Sequence, residues 1–197
     1  MTTGAHTPRR FAANLTAMFA AVWTLTSGIP AAPQEGVFHE GHVKAAFLYK
    51  LTLYIEWPEQ AFSAPGDPVV IAVVGDDPFA AILEETVEGK VVRGRTFKVR
   101  RYAWPGDVLP PSHIVFIGPA YGGDRLVEAA RKVRGQVPHA LVAADARGAG
   151  RQGATLFFTA DEKKVGFSIN VDQASRAGLT ISSKLLRIAE IIREDER

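Results

Sequence analysis

Apolar residues at Val43, Ala46, Phe47, Leu51, Tyr54 and Ile55 recur three and four positions apart, which lays one apolar stripe along a helix that begins near His39 and stops at Pro58. Val69-Val70-Ile71-Ala72-Val73-Val74 is instead a continuous apolar run bounded by Pro68 and Gly75, the pattern of a central strand covered on both faces. Gly75-Asp76-Asp77-Pro78 breaks that run. Phe79 to Val87 then reads as a short helix, with Asp77 as its cap and Pro78 in its first turn. From Thr96 to Tyr102, Phe97 and Val99 alternate with Lys98 and Arg100, so this strand has one wet face and suits a sheet edge. His113-Ile114-Val115-Phe116-Ile117 is again a buried-strand run, after which Gly118 opens a loop into a helix from Asp124 to Val133.

Ala140 to Ala143 supplies a further strand. Beyond the glycine-rich stretch Asp145 to Gly153, Thr155 to Thr159 and Lys163 to Ile169 are two strand-like segments close enough to form a hairpin. A last helix is expected from Ser182 to Arg193, presenting Leu185, Ile188 and Ile192 on one face. Strands alternating with helices and then a hairpin predict a single-domain α/β sandwich. Its central sheet is mostly parallel, with an antiparallel edge hairpin and helices on both faces.

Upstream of this domain, Arg9 and Arg10 precede a run without charge from Phe11 to Gln34, whose apolar heart is Leu15 to Leu25. That is the layout of a secretory signal peptide over residues 1–32, and the small residues Ser27, Gly28, Ala31 and Ala32 put the cleaved bond between about 28 and 34. An uncleaved anchor is the other reading, but a spanning helix needs about 20 strongly apolar residues, and this run includes Asn14, Thr16, Thr24 and Thr26. Arg9-Arg10-Phe11 alone is too short to define a twin-arginine signal. The folded domain is then 38–193.

Charge and composition narrow the picture further. The chain has 23 Lys+Arg against 21 Asp+Glu, and the leader holds two of the basic residues and no acid, so the exported part is neutral. Neutrality argues against electrostatic capture of nucleic acid or anionic lipid, and no membrane insertion is expected after cleavage. With 197 residues, 47% hydrophobic, the chain supports one ordinary core. The absence of cysteine excludes disulfides, thiolate metal sites, iron–sulfur clusters and a cysteine nucleophile.

Candidate chemistry is thin. Gly148-Ala149-Gly150-Arg151-Gln152-Gly153 is a literal G-x-G-x-x-G, yet it leads into a strand, where no helix N-terminus waits for a pyrophosphate. In His39-Glu40-Gly41-His42 the histidines stand three apart, whereas zinc proteases need four, and no third ligand follows. Asp76 and Asp77 resemble the acidic pair that holds magnesium in response-regulator receivers, but the strand ending at Ile117 leads to Gly118-Pro119 and not to a phosphoaccepting aspartate. No G-x-S-x-G occurs, and adjacent Ser112 and His113 on a strand point to opposite faces. Asp145, Asp161 and Glu162 read as solvated loop carboxylates. No catalytic residue, metal site or cofactor is therefore assigned.

Val43-Lys44-Ala45-Ala46-Phe47-Leu48-Tyr49 with Ile55-Glu56-Trp57-Pro58 resembles the opening signature of the YfiR/HmsC-like family of exported bacterial proteins. Val73-Val74-Gly75-Asp76-Asp77-Pro78-Phe79 resembles its next block, and Val91 to Arg101 its V-x-G-R-x-F-x-V-R stretch. His113 to Ile117, Gly166 to Asn170 and Leu179 to Leu186 continue the likeness, which spans about 38 to 190. The resemblance implies a non-catalytic periplasmic regulator that binds and silences a membrane-bound diguanylate cyclase through its periplasmic sensor domain, lowering cyclic-di-GMP and biofilm formation. Relatives also occur beside histidine kinases, so the implied partner is the periplasmic domain of either, and a homodimer stays open. Ser112 stands where relatives carry a cysteine and Lys50 where they carry an asparagine, so thiol redox control does not extend to this chain.

Among the matched residues, Lys44, Phe47, Tyr49, Trp57, Pro58, Gly75 and Pro78 read as structural, the aromatics by core packing and the last two by turn geometry. Ligands of open α/β sheets sit outside the carboxyl ends of the strands, which points to Asp76, Asp77, Phe79 and Gly118. Asn170 is either the cap of a helix starting near Val171 or a polar group in a pocket. A periplasmic module that binds a small molecule or a cell-wall fragment is the alternative function.

Overall fold

The computed structural model describes residues 35–103, 109–145, 153–160 and 165–194. The expected leader over residues 1–32, most of the G-x-G-x-x-G segment, Asp161 and Glu162 lie outside the described residues. Helix α1 (Glu35–Leu51) buries Lys44, Ala45, Leu48 and Leu51 along one stripe. It ends earlier than the apolar spacing predicts. The Thr52 hydroxyl donates to the Tyr49 carbonyl at 2.6 Å, and Leu53 and Tyr54 close tight turns onto Lys50 and Leu51. Tyr54 and Ile55 therefore leave the helix. Ile55 enters strand β1 (Ile55–Glu56), and Pro58, expected to stop a helix, instead precedes a 3-10 turn over Glu59–Ala61.

Strand β2 (Val69–Val74) leads into helix α2 (Asp77–Val87), and the cap is Asp76, one residue earlier than expected. Its carboxylate accepts from the Phe79 backbone N–H at 3.2 Å, which puts Asp77 and Pro78 at the first two helical positions, where proline loses no hydrogen bond. Strands β3 (Val91–Val92) and β4 (Arg95–Tyr102) form a hairpin. Arg93 and Gly94 at its tip have φ of 48° and 76°, the conformation that a two-residue turn demands. Strand β5 (Ile114–Ile117), helix α3 (Asp124–Gln136), strand β6 (Leu141–Asp145) and the antiparallel pair β7 (Leu156–Ala160) and β8 (Val165–Asn170) follow.

Helix α4 (Val171–Arg176), strand β9 (Thr180–Ile181), a single turn α5 (Ser183–Leu186) and strand β10 (Glu190–Ile192) complete the chain. Here the expected helix from Ser182 to Arg193 is corrected. Glu190 to Ile192 pairs in parallel with Ser168 to Asn170, because the outer edge of β8 offers unpaired backbone groups to a β-branched run. Ile188, expected on the buried face, is 70% exposed.

The main sheet has the order β10-β8-β7-β6-β5-β2-β4-β3, with β4, β2, β5, β6 and β7 mutually parallel. Beside it, β1 and β9 form a small antiparallel sheet. Helices α1, α2, α4 and α5 enclose one core against the sheet, and α3 the other, so the fold is the expected α/β sandwich with helices on both faces. Among the described residues, no helix is long and apolar enough to cross a membrane.

Candidate functional site

Strand order reverses between β2 and β5, since α2 carries the chain to one side of β2 on one face and α3 carries it away from β5 on the other. The carboxyl ends of these two strands bring Asp76 and Gly118 together, with Gly75 beside them. The gap between them is filled. A Cβ on Gly118 would stand 2.6 Å from the Asp76 Cβ and 2.9 Å from the Gly75 carbonyl oxygen, and one on Gly75, whose φ is 70°, would meet the Tyr121 ring. Phe79 is not a rim residue: it is buried and packs on Phe116 with ring centroids 4.2 Å apart. Of Asp77 only the backbone is described.

Asn170 stands apart from these residues. Strand β8 runs antiparallel to β7, so its carboxyl end lies at the opposite end of the sheet, beside the amino ends of the parallel strands, where the Asn170 side chain caps α4 by accepting from Gln173 N–H at 2.9 Å. Phe47 packs on Phe167, and Tyr49 lies edge-on to Phe97 with Lys90 over its ring.

Near the carboxyl end of β6, Lys44 is 3% exposed and Asp145 4%. The Lys44 ammonium donates to Asp145 Oδ2 at 2.6 Å and pairs with Glu40 Oε1 at 2.5 Å. Asp145 is thus no solvated loop carboxylate. It ends a strand and answers a cation that α1 carries into the core. The signal was present in the helical spacing of Lys44, Leu48 and Leu51, because a lysine on a buried stripe requires a buried acid.

Sequence reasoning missed a second cluster, at the amino end of the sheet, where three of the family-like blocks meet. Trp57 Nε1 donates to the His113 carbonyl at 2.9 Å, and His113 Nδ1 accepts from Val70 N–H at 3.0 Å. The His113 ring stacks on Phe62 at 4.2 Å, and the Arg95 guanidinium lies over the Phe62 ring at 3.7 Å while donating to the Asp67 carbonyl. Arg93 donates to the Ile55 carbonyl and to Glu56, which ties the small sheet to the large one. Thr52, Trp57, Phe62, Val69, Arg93 and Arg95 line a cavity of about 120 Å³. The neighbouring Ser112 hydroxyl donates to the Pro110 carbonyl, so neither it nor Nδ1 of His113 addresses the other.

Burial holds His113 below the ordinary imidazole range, and Arg95 nearby acts in the same direction, against the Ala61 carbonyl and Asp67. The folded state therefore binds fewer protons than the unfolded chain just below about pH 6.5, and stability falls as pH drops from about 6.5 through the lowered value. Denaturant midpoints measured across that window are expected to decline, and the decline is expected to flatten in His113→Asn, whose side-chain oxygen can still accept from Val70. An unchanged slope in the variant refutes this assignment.

Residues 41–190 match the YfiR/HmsC-like family model. No curated protein matches the chain.

Proposed function

Because the chain belongs to the YfiR/HmsC-like family, we propose that it is an exported, non-catalytic regulator that binds the periplasmic sensor domain of a membrane diguanylate cyclase and lowers cyclic-di-GMP and biofilm formation. The family match over residues 41–190 carries the reading. In it, residues 1–32 are a leader removed between about 28 and 34, and the 38–193 domain works in the periplasm. A protein with no chemistry of its own acts by binding one conformation of its partner more tightly than another, so repression is stoichiometric. The strand ends at Asp76, Asp77 and Gly118 are candidates for the partner-facing rim, while Phe79 and Asn170 hold the surrounding structure.

Deletion of the gene is expected to raise cyclic-di-GMP, and re-supply of the exported domain to lower it again with cyclase abundance unchanged. Mass spectrometry of the periplasmic fraction is expected to find the chain without its leader. If deletion leaves cyclic-di-GMP unchanged and alters uptake of a solute, the protein is a ligand-binding module and not a repressor.

A further inference from the structure

Strand β4 carries more backbone than its outer neighbour covers. Only Arg95 and Thr96 pair with β3, and among the described residues no strand flanks β4 from Phe97 onward on the side away from β2. Gly75 N–H donates to the Tyr102 carbonyl, which therefore faces β2. In a parallel ladder residues two apart share a side, so Lys98 and Arg100 also bond toward β2, and the backbone groups of Val99 and Arg101 point outward. An unpaired edge of this kind is a template for another strand.

The two faces of that edge differ in charge. On the α1/α2 face, Phe97 and Val99 pack against the core and border a groove of about 610 Å³ between β4 and α2, rimmed by Glu84, Glu85 and Glu88. Glu84 is already paired with Arg101 at 2.6 Å. On the opposite face, Thr96, Lys98 and Arg100 are exposed. A second copy of the chain is a poor occupant, because antiparallel pairing of two β4 strands would set Lys98 and Arg100 of each against the same residues of the other.

We infer that the open edge of β4 from Phe97 to Arg101 is a docking site for an extended segment of a partner protein. That segment has acidic residues at alternate positions, facing Lys98 and Arg100, and apolar residues between them, entering the groove. This deepens the proposed regulatory role, and rests on it, by naming the surface through which the partner is held.

The test uses purified leaderless protein and a short capped peptide alternating Val and Glu, with a peptide of Val and Lys as its counterpart. The Glu peptide is expected to bind about tenfold more tightly than the Lys peptide, the sum of a few cross-strand charge pairs. Binding is expected to slow amide hydrogen exchange at Val99 and Arg101 and to leave Lys98 and Arg100, already bonded to β2, unchanged. Val99→Pro removes an outward donor and no bond to β2, and gives up the packing of a partly buried valine, so it is expected to abolish binding in a protein that is somewhat less stable but still unfolds cooperatively. Lys98→Glu with Arg100→Glu is expected to reverse the preference between the peptides and serves as the check if the proline variant fails to fold. Absence of binding, equal affinity for both peptides, or self-association of the chain through this edge overturns the inference. The cyclic-di-GMP measurement is independent of these readouts, so the docking surface and the regulatory role fail separately.

Discussion

Replacing Lys44 with methionine is expected to lower folding stability by about 3–5 kcal/mol, measured as the loss of unfolding free energy in urea. The ammonium is buried and lies between two carboxylates, at 2.6 Å from Asp145 and 2.5 Å from Glu40. Removing it strands the Asp145 carboxylate, itself 4% exposed, without a counter-charge. Glu40 is less affected: its Oε1 is buried, but the side chain is 19% exposed as a whole and can turn its carboxylate toward water. The double change Lys44→Met with Asp145→Leu removes both charges and is expected to recover most of the loss, because a buried ion pair costs much of its Coulomb energy in desolvation. The two single substitutions should therefore be strongly non-additive. If Lys44→Met costs less than about 1 kcal/mol, the pair is not the internal tie between α1 and β6 that the geometry makes it.

That tie also marks where the sequence stops being legible. The strands from Val69 and His113 could be read because continuous apolar runs between Pro or Gly have few other fates, and the β7–β8 hairpin because two such runs lie close together. The C-terminal segment departs from its local pattern. Leu185, Ile188 and Ile192 satisfy helical spacing, but the deciding influence is the free edge of β8, which lies in the tertiary structure and not in the local pattern. The same holds for Tyr54 and Ile55, drawn out of the helix by the pairing of Ile55 with Ile181. The sequence points to Asp77 as the cap, but Asp76 beside it holds that role, and only the backbone geometry separates the two.

The candidate site divides in the same manner. The rule that ligands sit beyond the carboxyl ends of parallel strands singled out Asp76, Asp77, Phe79 and Gly118, and of these Asp76 and Gly118 do lie side by side, because that much depends on strand order alone. It could not foresee that the Tyr121 ring occupies the space beside Gly75, nor that β8 runs the other way and carries Asn170 to the amino end of the parallel strands. The cluster of Trp57, Phe62, Arg95 and His113 joins four separate segments, and none of their spacings signals the meeting.

Trp57→Ala is expected to cost about 3 kcal/mol, toward the lower end for loss of a large aromatic because the ring is only partly buried. Two contributions are separable. The ring packs against the main core and lies edge-on to His113 with centroids 6.4 Å apart, and its N–H donates to the His113 carbonyl at 2.9 Å. That carbonyl also accepts from Leu141 N–H at 2.9 Å, so deleting the indole donor leaves no orphaned acceptor. Trp57→Phe, which keeps an aromatic ring and loses the donor, should therefore cost only about 1 kcal/mol, the net value of an ordinary hydrogen bond. Equal losses in Trp57→Phe and Trp57→Ala would mean that the hydrogen bond, not the packing, fixes β1 against the amino end of the sheet. The packing account predicts instead that most of the loss appears only when the ring is removed.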